Sequence, residues 1–148
     1  MGPELQPPQV NLDAEWAIGG FSQLIRFDAV KWRDVPAAPG VYIIYDKDEL
    51  IYIGMSGRNG KGTLRNRLRD HATGQIVNMF AQYLFLARVQ FLSPTRITHP
   101  RDAKQACHLY IREHCSFRFK VLGNGNDARI LEDQLKAHLK PTLNAPED

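Results

Sequence analysis

Gly40-Val41-Tyr42-Ile43-Ile44-Tyr45, then Asp46-Lys47-Asp48-Glu49, then Leu50-Ile51-Tyr52-Ile53-Gly54-Met55 is the stretch that decides the fold. Val41 to Tyr45 and Leu50 to Met55 are β-branched and aromatic, and the polar tetrad between them reads as the turn of a β-hairpin. Ser56-Gly57-Arg58-Asn59-Gly60-Lys61-Gly62 follows as a flexible loop carrying three glycines and two cations. Thr63 then offers a side-chain oxygen to cap a helix, and Leu64 and Leu68 set a helical stripe that runs to about His71.

Upstream, residues 1–14 are rich in Pro and polar residues and read as a loose terminus, with a helix start around Asn11 to Asp13. Glu15 to Trp32 carries Trp16, Ile18, Phe21, Leu24, Ile25, Phe27 and Trp32, too much apolar surface for a free tail, so it is predicted to pack on the main body. The breaker cluster from Val35 to Gly40 divides an N-terminal extension, 1–34, from a main domain, 35–148. Downstream, the patterns predict a helix from about Gln75 to Phe85 and a short strand from Ala87 to Leu92. A helix capped by Asp102 and ending near His114 comes next, then a strand in which Phe117, Phe119 and Val121 alternate with Arg118 and Lys120. A last helix from Asp127 to Leu139 buries Leu131, Leu135 and Leu139 and cannot continue through Pro141. The fold expected is α/β, a small antiparallel sheet of the hairpin plus a later strand, flanked by helices as a sandwich.

A chain of 148 residues fits one domain and can bury roughly 70% of its unfolded surface. With 43% hydrophobic and 24% charged residues it matches an ordinary globular protein, and no apolar run is long enough to cross a bilayer. The N-terminus has no secretory signal pattern, and Cys107 and Cys115 read as reduced thiols, so a cytoplasmic protein is expected. Cys107, His108, His114 and Cys115 lack the paired Cys-x-x-Cys spacing of a zinc site, and His99, His108 and His138 read as surface or packing residues. The formal charge of +3 gives only mild attraction to a polyanion. Its distribution says more, because Arg58, Lys61, Arg65, Arg67 and Arg69 occur between Gly57 and Arg69 with no acidic residue among them. A charge run alone is more often a solvated helix face, but this one also suits phosphate contacts.

Leu64, Arg67, Leu68 and His71 follow i, i+3, i+4, i+7 spacing and share one helix face, which points an arginine and a histidine to where the core begins. Burying a guanidinium costs several kcal/mol unless it is paired, so Arg67 should either bridge to a carboxylate such as Glu132 or await an anion. Tyr42 and Tyr52 taken singly would be core aromatics. Taken in order, Gly40-Val41-Tyr42, Tyr52-Ile53-Gly54, Arg67, His71, Glu132 and Asn144 over residues 39–144 resemble the GIY-YIG nuclease family, with Val41 as a variation that keeps the tyrosine. The loop from Gly57 to Gly62 looks longer than the family's usual spacer, and Arg67 is chosen over Arg65 because it alone shares a face with His71.

The resemblance implies a GIY-YIG-like sandwich acting as an endonuclease dependent on Mg²⁺ or Mn²⁺. It implies that Glu132 binds the metal, that Tyr42 acts as general base with His71 as the fallback, and that Arg67 holds the scissile phosphate. Tyr52 and His71 would position water or phosphate, and Asn144 would order the site by hydrogen bonds. Arg58, Lys61, Arg65 and Arg69 are the candidate nucleic-acid contacts. DNA is the expected partner, with RNA left open and no membrane, and targeting would fall to a homodimer or a partner protein. Side chains alternate along strands, so both tyrosines on one face require an odd-length hairpin loop; an even loop would put them on opposite faces. Two other outcomes compete: a catalytically silent nucleic-acid binding module, and a structural protein whose Arg67 and Glu132 form an internal salt bridge.

Overall fold

A computed structural model describes residues 19–144. The expected loose terminus, its helix start, and Trp16 and Ile18 lie outside the described residues. Strands β1 (Ile25–Arg26), β2 (Gly40–Asp46), β3 (Glu49–Ser56) and β4 (Cys115–Val121) form one antiparallel sheet in the order β1-β4-β2-β3. The helices are α1 (Leu64–Ala72), α2 (Met79–Ala87), α3 (Pro100–His114) and α4 (Gly125–Leu139).

Every residue of β2 is buried, which requires cover on both faces of the sheet. Alternation then sorts its side chains into two cores. Tyr42 and Ile44 join Tyr52 and Phe117 beneath α1, α2 and α3, against Leu64, Leu68, Phe80, Leu84, Cys107 and Ile111. Val41, Ile43 and Tyr45 join Ile53 and Met55 beneath α4, against Ala128 and Leu135. Leu131 and Leu139 are only partly buried beside that second core.

The hairpin turn is shorter than the expected tetrad, because Asp46 and Glu49 pair and leave Lys47-Asp48, with Lys47 at φ 56°. Two residues is an even loop, which would put Tyr42 and Tyr52 on opposite faces. A β-bulge reverses that parity: Tyr45 pairs with Leu50 but Ile44 pairs with Tyr52, so Ile51 is extra. The tyrosines therefore share a face through a bulge and not through an odd loop. The outer edge of β3 is covered by the C-terminal segment: Leu143 N–H donates to the Ile51 carbonyl at 2.7 Å, and the Asn144 side chain accepts from Ile53 N–H at 2.8 Å and donates to the Ile53 carbonyl at 2.9 Å.

Several element boundaries differ from the sequence pattern for identifiable reasons. The segment 19–34 supplies an additional edge strand, with Ile25 opposite Phe117, and the rings of Phe27 and Trp32 lie 4.8 and 6.1 Å from that of Phe117. Helix α2 starts at Met79 because Asn78 Oδ1 accepts from Ala81 N–H at 2.9 Å. The expected strand from Ala87 to Leu92 is instead the end of α2 and a 3₁₀ turn, Val89–Leu92. Arg88 breaks the helix there, and its guanidinium reaches Asp46 at 2.7 Å and Glu49 at 2.9 Å, clamping the hairpin tip. The cap of α3 is His99, whose Nδ1 accepts from Arg101 N–H at 3.0 Å ahead of Pro100, and Asp102 lies inside the first turn. Asn124 caps α4 by accepting from Asp127 N–H at 2.8 Å, so that helix begins at Gly125.

Candidate active site

The cross-strand pair Tyr42 and Gly54 lies at the centre of the site. A Cβ at Gly54 would sit 2.2 Å from the Tyr42 hydroxyl, so the glycine is what lets the tyrosine ring extend across β3. Gly40 meets a similar limit, since its Cβ would lie 2.3 Å from the Lys120 carbonyl oxygen. The Tyr42 and Tyr52 rings are 6.4 Å apart; His71 lies 5.4 and 5.8 Å from them, and Phe80 closes the cluster 5.2 Å from both Tyr52 and His71.

Tyr42 Oη and His71 Nε2 are 2.6 Å apart. Burial and then the Arg67 charge lower the His71 pKa to about 3, with Asn78 pulling weakly the other way, so the imidazole is neutral near pH 7. Burial, followed by the charge of Tyr52, raises the Tyr42 phenol far above its ordinary range against the opposing pull of Arg67. Both groups are thus neutral. A phenol donating to Nε2 leaves the imidazole proton on Nδ1, which is buried beside Asn78 and makes no hydrogen bond of ordinary geometry.

The Tyr42 edge opens into a cavity of about 530 Å³ that Tyr52, Arg67 and Glu132 also line. Arg67 faces it from α1 and Glu132 from α4, the layer on the opposite side of the sheet, so the cavity wraps around β3, the edge strand. The chain resembles a GIY-YIG nuclease domain. It is similar to the GIY-YIG N-terminal endonuclease domain of UvrC from Thermotoga maritima bound to magnesium, at 26% identity over 78% of this chain and 92% of that one, with a TM-score of 0.43. A tyrosine-to-phenylalanine point mutant of that domain, bound to its catalytic divalent cation, is similar at 26% identity over 78% and 91% of the two chains, also with a TM-score of 0.43. No family model matches the chain, and no curated protein matches it. What the site can do follows from its own side chains.

Arg67 is exposed and open to the cavity, where the sequence pattern had pointed it toward the core. Among the described residues the ion-pair partner of Glu132 is Lys136, at 3.2 Å, and no ion pair joins Glu132 to Arg67. The internal salt bridge is therefore set aside. Glu132 is 7% exposed; burial raises its pKa, and Lys136 pulls it down. Arg58 and Lys61 line the same cavity. Arg65 turns away: its Nε donates to the Val35 carbonyl at 2.8 Å and its Nη2 to the Arg33 carbonyl at 3.4 Å, tying α1 to the segment before β2. Arg69 is exposed outside the cavity, and Asn144 also lies off its wall, on the β3 edge.

The sequence reading had not marked Ser56, Asp70 or Lys136, which also line the cavity. Ser56 Oγ is buried without a partner. Strand alternation extended one residue past Met55 would have put Ser56 on the face of Tyr52 and Gly54. For a metal ion, no group of three or more His, Cys, Asp and Glu among the described residues could form a cage. The donor set instead offers the Glu132 carboxylate at the wall of an open, polar cavity. That arrangement fits a hard divalent cation, which takes oxygen ligands and keeps several waters.

Proposed function

We propose that the chain is a metal-dependent endonuclease that hydrolyses nucleic-acid phosphodiester bonds, with DNA as its substrate. The observation that supports this most is the convergence on one cavity of Tyr42, Arg67 and Glu132, with His71 behind Tyr42 at 2.6 Å. A phosphodiester carries negative charge that repels nucleophiles, and its leaving oxygen is strongly basic. Arg67 answers the first difficulty, since a guanidinium fork matches two phosphate oxygens. Glu132 would hold Mg²⁺ or Mn²⁺, which when bound supplies charge neutralisation for the phosphate and for the departing oxygen.

Tyr42 as a free phenolate is disfavoured by burial, so the proton acceptor is the Tyr42–His71 pair. Tyr42 Oη takes the proton of the attacking water as its own proton passes to His71 Nε2. The Arg67 charge helps hold His71 neutral in the free enzyme, and an anionic phosphate on Arg67 offsets that charge when substrate arrives. The free thiols Cys107 and Cys115 suit a reducing, cytoplasmic compartment.

Labelled single-stranded, duplex and branched DNA, with RNA of the same sequences, tests this in Mg²⁺, Mn²⁺ and EDTA. Cutting of DNA with either metal and none in EDTA is expected. Salt-sensitive binding without cutting in any metal would make the chain a silent binding module, and equal cutting of RNA would overturn DNA as the preferred substrate.

A further inference from the structure

Beyond Arg67 a second cavity of about 740 Å³ opens between the end of α1 and the start of α2. It shares Arg67 and Asp70 with the first, so the two meet at the side chain assigned to the phosphate. Its remaining wall has a different character: Val77 is 84% exposed and Met79 48%, beside the carboxamides of Gln75 and Asn78. His71, only 1% exposed, stands behind this wall.

A second phosphate fits this wall poorly, because Arg67 is its one cation and Asp70 stands beside it. A flat, neutral heterocycle with polar edges fits better, and the volume lies in the range of ligand pockets, roughly 300–1,000 Å³. We propose that the second cavity seats the base of the nucleotide next to the scissile phosphate. The phosphate rests on Arg67, the base lies against Val77 and Met79, and the carboxamides of Gln75 and Asn78 face its polar atoms. A base stacked in a duplex cannot enter, so the preferred substrate carries an unpaired nucleotide beside the cut. The proposal rests on the nuclease assignment of the first cavity for the position of the phosphate.

The test compares two DNA duplexes that differ only at one extrahelical position, a single adenosine in one and an abasic residue in the other. Binding of the full chain is measured in EDTA by fluorescence anisotropy, and cutting is mapped separately in Mg²⁺. Both cavity side chains are exposed, so the double variant Val77→Ala, Met79→Ala is expected to fold as wild type does. Wild type should bind the adenosine bulge roughly tenfold more tightly, through the apolar surface that the base buries against Val77 and Met79, and the double variant should bring the ratio close to one. Equal binding of the two duplexes by wild type, or an unchanged ratio in the variant, overturns the pocket. Cutting without bulge preference removes the pocket and leaves the nuclease standing, whereas bulge preference without cutting does the reverse.

Discussion

At the scale of single residues, Ser56 and His71 each bury a polar atom that the protein itself does not satisfy, and each lines a cavity. An orphaned hydroxyl destabilises a fold by about 1–3 kcal/mol relative to a satisfied one, so Ser56→Ala should melt at the same temperature or higher. If Ser56 Oγ finds its partner in bound substrate or its water, the same variant should lose about tenfold in kcat. A wild-type rate in Ser56→Ala would remove Ser56 from the site. For His71 the folded pKa of about 3 lies below the unfolded value of about 6.5, so between them the unfolded chain holds the extra proton. Stability should therefore be at its full value above pH 6.5 and decline as the pH falls toward 3. His71→Gln should show a flatter dependence in thermal melts between pH 6.5 and 4, and an equally steep one would contradict the buried neutral imidazole. Tyr42, Tyr52, Arg67, His71 and Glu132 stood out in the sequence only as an ordered set that resembles the GIY-YIG family; periodicity alone made the tyrosines core aromatics and pointed Arg67 toward the core. Ser56 did not stand out, since its importance lies in a missing hydrogen bond, and the fate of Arg65 was set by carbonyls at Val35 and Arg33 that no local pattern announces.

At the scale of elements, the hairpin shows why strands were easier to read than register. Alternation and β-branched composition mark β2 and β3, but the bulge at Ile51 is a backbone event and leaves no periodic trace. The short β1 and the 3₁₀ turn after α2 escaped for a related reason: pairing with Phe117 and the reach of Arg88 to Asp46 and Glu49 are tertiary. The pairing of β2 with β3 also makes a sharp prediction at Gly54. In Gly54→Ala the added methyl would overlap the Tyr42 hydroxyl and ring, at 2.2 and 2.4 Å. Overpacking of this kind destabilises by about 1–3 kcal/mol. Displacing Tyr42 from His71 should also lower cleavage by at least roughly tenfold, on the scale of a lost proton-transfer partner. Full cleavage by a folded Gly54→Ala chain would mean that the Tyr42–His71 contact is dispensable.

At the scale of the whole molecule, the site exists because two helical layers meet at the edge of one sheet. Arg67 comes from one layer and Glu132 from the other, around a strand whose outer backbone is held by Leu143 and Asn144. The modest overall charge of +3 hides a local concentration, with Arg58, Lys61, Arg67 and Lys136 lining the cavity beside Asp70 and Glu132. The layered α/β class followed from the order of periodic segments, whereas the cover on both faces of β2 became clear only from its burial along its full length. The most direct measurement is single-turnover DNA cleavage in Mg²⁺ by Glu132→Gln beside wild type, with a melt of each. The carboxamide keeps the shape of the buried side chain while removing the charge that would hold the cation, so the variant should stay folded, retain DNA binding and lose cleavage by at least roughly a hundredfold. Cleavage at the wild-type rate by the folded variant would contradict the assignment of Glu132 and, with it, the metal-dependent mechanism.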